Sequence, residues 1–210
     1  MKAVLFDLLS ALLDSWSLWD DIAGGAVPGR RWRMEYLRRT YAVGAYVPYH
    51  DLVADSAGAV GLPRTLADEL EDRWDELSPW PRAGAVLRDL ARDRPIGVAT
   101  NCSEVLGQRA AALVGAPFRS VVTAEAAGCY KPDPRIYRAG VEALAPGGNG
   151  GTPRADEVLF VAGSPLDVHG ATRAGLTVVW HNPTRMPGGG AGEVALHVIH
   201  DLRELPAILA

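Results

Sequence analysis

The sequence predicts an α/β fold in three layers, a Rossmann-like parallel sheet with helices on both faces and an inserted helical cap. Two observations support this prediction. Short apolar runs without polar alternation recur along the chain, and such runs are typical of strands buried on both faces. Segments with helical spacing of apolar residues lie between these runs. That alternation is the pattern of a parallel sheet covered by helices.

Six apolar runs are predicted as strands of this sheet. They are residues 2–8, 95–100, 120–123, 157–162, 176–180 and 196–199, the last being the weakest candidate. Between the second and third runs, residues 105–114 have helical spacing and end at Gly115, which suits a C-terminal cap. Asp133 and Pro134 mark the start of another helix, because proline is favoured in a first helical turn.

Residues 14–81 interrupt the alternation. Their aromatic and leucine residues suggest several helices and no clear strand. Prolines at positions 79 and 81 exclude a regular helix where the chain would return to the sheet. We therefore predict a core formed by residues 1–13 and 82–210, and a helical cap formed by residues 14–81.

Composition limits the classes of partner. The chain has 210 residues, enough for one domain with an insert, and a net charge of −4 without a basic block. Nucleic acid is therefore not an expected partner. No apolar run reaches the roughly 18 residues of a membrane span, and Asp7 interrupts the apolar start of the chain. We expect neither membrane insertion nor secretion.

The two cysteines, Cys102 and Cys129, have no metal-ligand spacing. They are expected to be reduced thiols of a cytoplasmic protein. The expected partner is a small-molecule substrate. The sequence leaves open whether the chain is a monomer or a homodimer.

Polar residues follow four of the predicted strands. In an open parallel sheet, ligands bind at the carboxyl ends of the strands. The residues at these ends are Asp7, then Thr100 and Asn101, then Lys131, then Ser164 and Asp167. We therefore expect a crevice that contains two acids, a lysine, hydroxyl groups and an amide.

This set of residues suits covalent catalysis. An aspartate has an ordinary pKa of about 3.9, so it is ionised at neutral pH and acts as a nucleophile without a base. A neighbouring lysine keeps a partly desolvated carboxylate ionised. Asp7 is the candidate nucleophile, Lys131 its partner, and Asp167 the group that holds Lys131 or orients a water molecule.

Four segments resemble the haloacid dehalogenase-like hydrolase superfamily. They are VLFDLLSALLDS, GVATNCSEVLGQ, GCYKPDPRIY and VLFVAGSPLDVHGATRAGLTVVW, in the order and spacing of that family. GCYKPDPRIY is the most specific of the four. Together they cover the predicted core, and residues 14–81 fall where the family has its helical cap.

Two branches of the superfamily are relevant. Most members are magnesium-dependent phosphatases, with a second acid two residues after the nucleophile and another in the fourth motif. This chain has Leu9 and Gly163 at those places, so only Asp7 and Asp167 would remain to hold Mg²⁺. The 2-haloacid dehalogenase branch lacks the same acids and needs no metal, so no cofactor is expected if this chain belongs to it.

The resemblance to the dehalogenase branch implies further residues. Tyr137, six residues after Lys131, matches a tyrosine of that branch. The run 30–36 resembles the cap segment that carries its substrate arginine. Alignment on this run selects Arg30, with Arg31 and Arg33 as alternatives.

By this resemblance, Asp7 attacks C2 of an (S)-2-haloacid and displaces halide. Thr100 and Lys131 hold the substrate carboxylate, and Arg30 and Asn101 receive the halide. Water positioned with Asp167 then hydrolyses the aspartyl ester. Tyr137 and Ser164 complete the expected substrate site.

Three hypotheses stay open at this stage. The chain is a metal-independent hydrolase of small 2-substituted acids, a magnesium-dependent phosphatase with an impaired acid step, or a binding protein that has lost catalysis. Leu9, Ala11 and Ala162 replace polar residues of the dehalogenase branch, which leaves the hydrolytic half-reaction in question. Structural roles are also open: the arginine run as a solvated face, Tyr137 as a packed residue, and Thr100, Asn101 and Ser164 as caps.

Overall fold

The structure is a computed structural model that describes residues 1–145 and 151–210. Its strands are β1 (Ala3–Phe6), β2 (Leu13–Asp14), β3 (Ser78–Pro79), β4 (Ile96–Thr100), β5 (Ser120–Thr123), β6 (Val158–Ala162), β7 (Thr177–His181) and β8 (His197–Ile199). Its helices are α1 (Ser15–Ile22), α2 (Ala26–Ala42), α3 (Tyr49–Ala59), α4 (Leu66–Asp72), α5 (Ala83–Leu90), α6 (Glu104–Val114), α7 (Ala124–Ala127), α8 (Pro134–Ala143), α9 (Pro165–Arg173), α10 (Ala191–Val194) and α11 (Leu205–Leu209). Short 3₁₀ turns occupy Trp74–Glu76, Ala155–Glu157 and Leu202–Glu204.

A six-stranded parallel sheet forms the centre of the molecule, in the order β5-β4-β1-β6-β7-β8. Strand β1 lies between β4 and β6, and its last residue, Phe6, pairs with Val98 and Val161. Strands β1, β4 and β6 are buried along their whole length, as expected for strands covered on both faces. The predicted fold class is confirmed, and the strand ends agree with the predicted ones to within two residues.

Helix α8 lies very close to strand β1. A Cβ atom at Gly140 would stand 2.7 Å from Leu5 Cδ2, so any larger residue would require the Leu5 side chain to shift. One turn earlier in α8, Tyr137 packs its ring edge-on against Phe160 of β6, with 5.4 Å between centroids. The close packing of α8 therefore brings the Tyr137 hydroxyl to the carboxyl ends of the central strands.

Helices α1 to α4 and the turn Trp74–Glu76 lie between β2 and β3, and we call residues 15–76 the helical segment. Strands β2 and β3 form an antiparallel ribbon in which Leu13 pairs with Pro79 and Asp14 with Ser78. No clear strand was predicted in this part of the chain. Strands β2 and β3 escape prediction because a strand of two residues is too short to show period-two alternation. The predicted cap, residues 14–81, contains the helical segment, and its assignment as a separate domain stays a prediction.

Aromatic rings in tilted and edge-on contacts hold the helical segment together. Trp19 packs against Trp32 and Tyr36 with centroid distances of 4.4 and 5.5 Å, and Tyr49 contacts Tyr36 and Trp74 at 5.5 and 5.8 Å. Each such pair contributes about 0.5–1.5 kcal/mol beyond the burial of its area. Helix α2 carries two of these rings and is therefore fixed in position.

Hydrogen bonds attach the helical segment to the core. The Tyr36 hydroxyl donates to the carbonyl of Asn101 at 2.6 Å, and Trp74 Nε1 donates to the carbonyl of Leu106 at 2.9 Å. In the opposite direction, the Tyr130 hydroxyl donates to the carbonyl of Val47 at 2.8 Å. The first of these bonds holds α2 at the carboxyl end of β4, and the other two attach the turn Trp74–Glu76 and the loop after α2. Among the described residues, no helix has the length and hydropathy needed to cross a membrane.

Candidate active site

Asp7 is the first residue after β1, and its carboxylate is buried in a tight turn. The backbone N–H groups of Ser10 and Ala11 donate to Oδ2 at 3.0 and 3.1 Å, and the Ser10 hydroxyl donates to the same oxygen at 2.9 Å. Three donors on one carboxylate oxygen fix the rotamer of Asp7. The other oxygen, Oδ1, stays available for a different partner.

Two aromatic side chains hold this turn from outside. Trp80 Nε1 donates to the carbonyl of Ser10 at 2.9 Å, and Nδ1 of His181 lies 2.7 Å from the carbonyl oxygen of Ala11. Burial lowers the pKa of His181. Its ring is thus neutral at pH 7 and donates from Nδ1, since a carbonyl oxygen only accepts.

The ammonium of Lys131 lies between two carboxylates. Its Nζ atom is 2.7 Å from Asp7 Oδ1 and 2.7 Å from Asp167 Oδ2, and all three side chains are buried. The amide side chain of Asn101 fixes the backbone of Lys131. Asn101 Oδ1 accepts from Lys131 N–H at 2.7 Å, and Nδ2 donates to its carbonyl at 3.2 Å.

Asp167 lies in the first turn of α9 and is held on its second oxygen as well. The Tyr137 hydroxyl donates to Asp167 Oδ1 at 2.5 Å. The backbone N–H of Asp167 donates to the hydroxyl of Ser164, the N-cap of α9, at 3.3 Å. A Cβ atom at Gly170 would lie 2.5 Å from the Tyr137 hydroxyl, so glycine at this position leaves room for that contact.

Burial and charge move the pKa values of the two acids in opposite directions. Burial alone would raise the pKa of Asp7, but the charge of Lys131 and hydrogen bonds from Lys131 and Ser10 lower it. Burial raises the pKa of Asp167, and the charge of Asp7 adds to this rise. The pKa of Lys131 is raised, because the two carboxylates outweigh the effect of its burial. Lys131 and Asp7 are therefore both charged at neutral pH, and Asp167 is the acid more ready to take a proton.

Arg33 of α2 is a second buried cation beside Asp7. It is only 5% exposed, and its guanidinium carbon lies 4.2 Å from the ring centroid of Trp16 and 5.6 Å from that of Trp19. Within residues 1–145 and 151–210, its Nε and Nη1 atoms have no hydrogen-bond partner. Burial lowers its pKa, yet a guanidinium stays charged at neutral pH. Two unsatisfied donors on a buried cation fit an anion that enters the cavity.

These side chains meet around a small cavity of about 40 Å³. Six of the predicted site residues line it, namely Asp7, Thr100, Asn101, Lys131, Ser164 and Asp167. Tyr137 is not part of the wall and lies behind Asp167. The structure thus brings the four predicted strand ends together.

The structure places the predicted arginine differently. Arg30 is exposed and lines a neighbouring cavity, whereas Arg33 lines the cavity at Asp7. Three residues correspond to nearly one helical turn and about 4.5 Å along the axis, enough to move a side chain from one cavity to the next. Arg33, and not Arg30, therefore lies at Asp7, and the role of either arginine in substrate binding stays a prediction.

Several wall residues were not found from the sequence. They are Ser10, Tyr36, Leu37 and Tyr41. Leu37 and Tyr41 follow Arg33 at intervals of four, so helical spacing would have selected them once Arg33 was chosen. Ser10 follows Asp7 by three residues, the spacing at which an aspartate accepts from nearby backbone N–H groups.

The site residues do not fit a magnesium ion. Magnesium requires nearly octahedral oxygen ligands, and both carboxylates here already bond to Lys131 Nζ. Over the described parts of the chain, no group of three His, Cys, Asp or Glu residues could hold a metal. Position 163, an acid in many phosphatases, has no room for a side chain, since its Cβ would lie 2.7 Å from Asp7 Oδ2.

The family model of haloacid dehalogenase-like hydrolases matches residues 1–175. The chain belongs to the haloacid dehalogenase-like hydrolase family. The resemblance noted in the sequence is confirmed, and the chain is a hydrolase by family.

The chain is similar to known dehalogenases over most of its length. An (S)-2-haloacid dehalogenase of Xanthobacter autotrophicus is 29% identical, over 85% of this chain and 74% of the relative. The (S)-2-haloacid dehalogenase H-109 of Pseudomonas putida is 25% identical, over 98% of this chain and 96% of the relative. A crystal structure of a dehalogenase with an intermediate complex superposes with a TM-score of 0.82 at 25% identity, covering 99% of this chain and 96% of that one.

Proposed function

We propose that this hydrolase cleaves the carbon–halogen bond of small (S)-2-haloacids through a covalent ester on Asp7. The observation that carries the proposal is the contact between Asp7 and Lys131 beside the guanidinium of Arg33, whose Nε and Nη1 atoms have no partner among the described residues. This arrangement offers an ionised nucleophile and a site for a departing anion within one buried cavity. The dehalogenases to which the chain is similar support the same reaction.

In the first step, Asp7 Oδ1 attacks C2 of the substrate. Oδ2 already accepts three hydrogen bonds, whereas Oδ1 accepts one from Lys131 and keeps a lone pair free. The C2–halogen bond breaks as the new C–O bond forms, and halide leaves with the bonding electrons. Halide needs no proton, which agrees with the apolar, buried Leu9 at the place where a phosphatase has its general acid.

Two anionic groups need hydrogen-bond donors, namely the departing halide and the carboxylate of the substrate. Arg33 receives the halide, because its Nε and Nη1 atoms have no partner in the described part of the chain and its flat face is already covered by Trp16. The Thr100 hydroxyl, Lys131 and backbone N–H groups hold the carboxylate. Asn101 uses its side-chain amide to fix Lys131, so we assign it to positioning of the lysine and not to halide binding.

In the second step, water hydrolyses the ester. Asp167 accepts a proton from the water, whose oxygen attacks the carboxyl carbon of Asp7. The raised pKa of Asp167 suits a base at neutral pH. The tetrahedral adduct releases a 2-hydroxy acid, Asp7 is restored with one oxygen from water, and a proton and a halide are released overall. Tyr137 orients Asp167, and Ser164 lines the cavity where the water lies.

Halide release from racemic 2-chloropropionate in the presence of EDTA tests the proposal. We expect turnover with the chelator, and a loss of at least about 10³-fold in Asp7→Asn. In H₂¹⁸O, the peptide that contains Asp7 should gain one heavy oxygen after a single turnover. Turnover without that label would mean direct attack by water on C2. No halide from any haloacid would reject the function.

The alternatives have less support. A magnesium-dependent phosphatase would lose all activity with EDTA, and its metal would have to displace Lys131 from both carboxylates. A protein that only binds a ligand would not require Lys131 buried between two carboxylates, because burial of these three charged groups costs free energy. We infer that the enzyme needs no cofactor. The cytoplasmic location and the homodimer stay predictions.

A further inference from the structure

A second, larger cavity adjoins the site. Its volume is about 480 Å³, against about 40 Å³ for the cavity at Asp7. One wall belongs to the helical segment and contains Trp16, Met34 and Leu37. The opposite wall contains Leu166 of α9 and residues 184 and 186–189 after β7. Apolar groups predominate on both sides.

The two cavities share a wall. Leu37 and Ser164 line both. Helix α2 extends along both, since Arg33 and Tyr41 face the cavity at Asp7 while Arg30 and Met34 face the larger one. A molecule whose reacting carbon lies at Asp7 would therefore have its other groups directed past Leu37 and Ser164.

The contents of the small cavity leave little space. Asp7, Lys131 and Arg33 must hold a carboxylate, C2 and a halogen, and those groups fill a volume that suffices for only a few water molecules. A large substituent on C2 does not fit there as well. The apolar neighbour is of a size typical for ligand pockets.

We propose that the larger cavity binds an apolar substituent on C2, so that the preferred substrates carry a butyl or benzyl group rather than a methyl group. This inference rests on the proposed function, because it assumes that C2 lies at Asp7. The positions of the charged and polar side chains at the larger cavity agree with this proposal. Arg30 is exposed and His169 half-buried, so both remain in contact with water while the apolar wall takes the substituent.

Leu166 gives the sharpest test. Its side chain is half-buried and contacts the cavity, so Leu166→Trp would fill part of the space without contact to Asp7. Leu196→Trp is the matched control, because Leu196 is 53% exposed and does not line the cavity. Halide release is measured for 2-bromopropionate, 2-bromohexanoate and 2-bromo-3-phenylpropionate.

We expect kcat/KM of the wild-type enzyme for 2-bromohexanoate to exceed that for 2-bromopropionate at least about tenfold, since each buried methylene contributes about fourfold. Leu166→Trp should lower this ratio about tenfold, and Leu196→Trp should not change it. Halide from 2-bromopropionate without a preference for the longer acids would overturn the cavity assignment alone. No halide from any of the acids would reject the proposed function, and the inference with it.

Binding of unreactive acids gives a readout besides activity. By calorimetry, hexanoate should bind the wild-type enzyme at least about tenfold more tightly than propionate, and Leu166→Trp should remove the difference. Equal binding of the two acids would contradict the proposal.

Sedimentation velocity tests whether a second copy of the chain occupies the cavity instead. A dimer that dissociates in Leu166→Trp would assign the cavity to a contact between two copies, and the proposal would fail.

Discussion

Lys131 and Asp7, 124 residues apart in the chain, form a buried ion pair with 2.7 Å between Nζ and Oδ1. Removing charges from water costs several kcal/mol per ion. That cost is offset here because each charge has more than one partner. Lys131 also contacts Asp167, and Asp7 also accepts from Ser10 and Ala11. The stability and the activity of the enzyme therefore depend on the same few contacts.

Lys131→Met should destabilise the protein by about 3–5 kcal/mol at pH 7.5, because it leaves two buried carboxylates without their cation. The pKa of Asp7 is lowered in the folded state, so its stabilising effect is present above its ordinary pKa and is lost as the pH falls through the folded-state value. Removal of Lys131 raises the pKa of both acids, and protonation at pH 5 should then recover part of the lost stability.

Urea denaturation of wild type and Lys131→Met at pH 7.5 and 5 measures this effect. Lys2→Met is the matched control, because Lys2 is 69% exposed in its side chain and pairs with Glu157 at the surface. Such a pair contributes about 0–1 kcal/mol. If Lys131→Met cost no more free energy of unfolding than Lys2→Met, the buried pair would not be a stabilising element.

Tyr137→Phe should move the acidic limb of the kcat profile to higher pH, because Asp167 is proposed to act in hydrolysis of the ester, after halide has left. In the proposed hydrolysis, Asp167 is the base and must be ionised, so activity falls as the pH falls through its pKa. That pKa is raised by burial, and the Tyr137 hydroxyl opposes the rise by donating to the carboxylate. Without the hydroxyl, the pKa of Asp167 rises further and activity is lost earlier on acidification.

The measurement is kcat for a 2-haloacid at saturating concentration from pH 4 to 9 in wild type, Tyr137→Phe and Tyr46→Phe. Tyr46 stacks on Tyr130 at 5.4 Å and does not line the cavity at Asp7, so its variant should keep the wild-type profile. An acidic limb that stays in place in Tyr137→Phe, or moves to lower pH, would contradict the role of this hydrogen bond.

Arg33→Met should stabilise the protein while it lowers the activity. In the wild type, the buried guanidinium has two donors without partners among the described residues, which costs about 1–3 kcal/mol. Methionine keeps most of the volume against Trp16 and removes this cost. Halide stabilisation is lost at the same time, so kcat/KM should fall about 10²- to 10³-fold.

Thermal unfolding and halide release check both effects. Arg31→Met is the matched control, because Arg31 lies on the same helix and is exposed; it should change neither Tm nor kcat/KM appreciably. A lower Tm together with lower activity in Arg33→Met would mean that the arginine is a structural element of α2 and not a preformed anion site.

The sequence predicted the fold well because each strand of the sheet is a separate apolar run. It also predicted that Asp7, Lys131 and Asp167 meet, because residues that follow parallel strands gather at the carboxyl edge of the sheet; their catalytic roles stay predictions. The pairing of Leu13 with Pro79 escaped prediction, since a ribbon of two-residue strands leaves no period in the sequence.

The arginine could not be assigned from the sequence for a different reason. Arg30 and Arg33 lie on one helix, and which of them faces Asp7 depends on how α2 is rotated. That rotation is set by contacts distant in sequence, such as the Tyr36 hydroxyl on the carbonyl of Asn101 and the Trp32 indole on that of Val53. The larger cavity could not be predicted from the sequence either, because it is bounded by residues from four separate segments.

Gly163→Ala should disrupt the turn that holds Asp7. A Cβ atom there would lie 2.7 Å from Asp7 Oδ2 and 2.5 Å from the carbonyl carbon of Ser10, and closer still to the N–H of Ala11. The turn must shift, so its donors leave Oδ2. We expect a loss of about 1–3 kcal/mol in stability from overpacking and a fall of about 10²-fold in kcat from misplacement of the nucleophile.

The same clash means that a single substitution at position 163 cannot introduce the acid of the phosphatases without disturbing the turn that holds Asp7. Gly163→Asp would introduce the acid, but its Cβ would clash with the Asp7 turn. We therefore expect no magnesium-dependent phosphatase activity from this variant, and a loss of stability at least as large as that of Gly163→Ala.

Gly58→Ala is the control, since a Cβ there meets only the Arg64 side chain, at 3.4 Å, and the stability of α3 should increase by about 1 kcal/mol. Urea denaturation and halide release compare the three variants. Wild-type activity and stability in Gly163→Ala would show that the turn is pliable, and that glycine at this position is not what holds Asp7 in its attacking orientation.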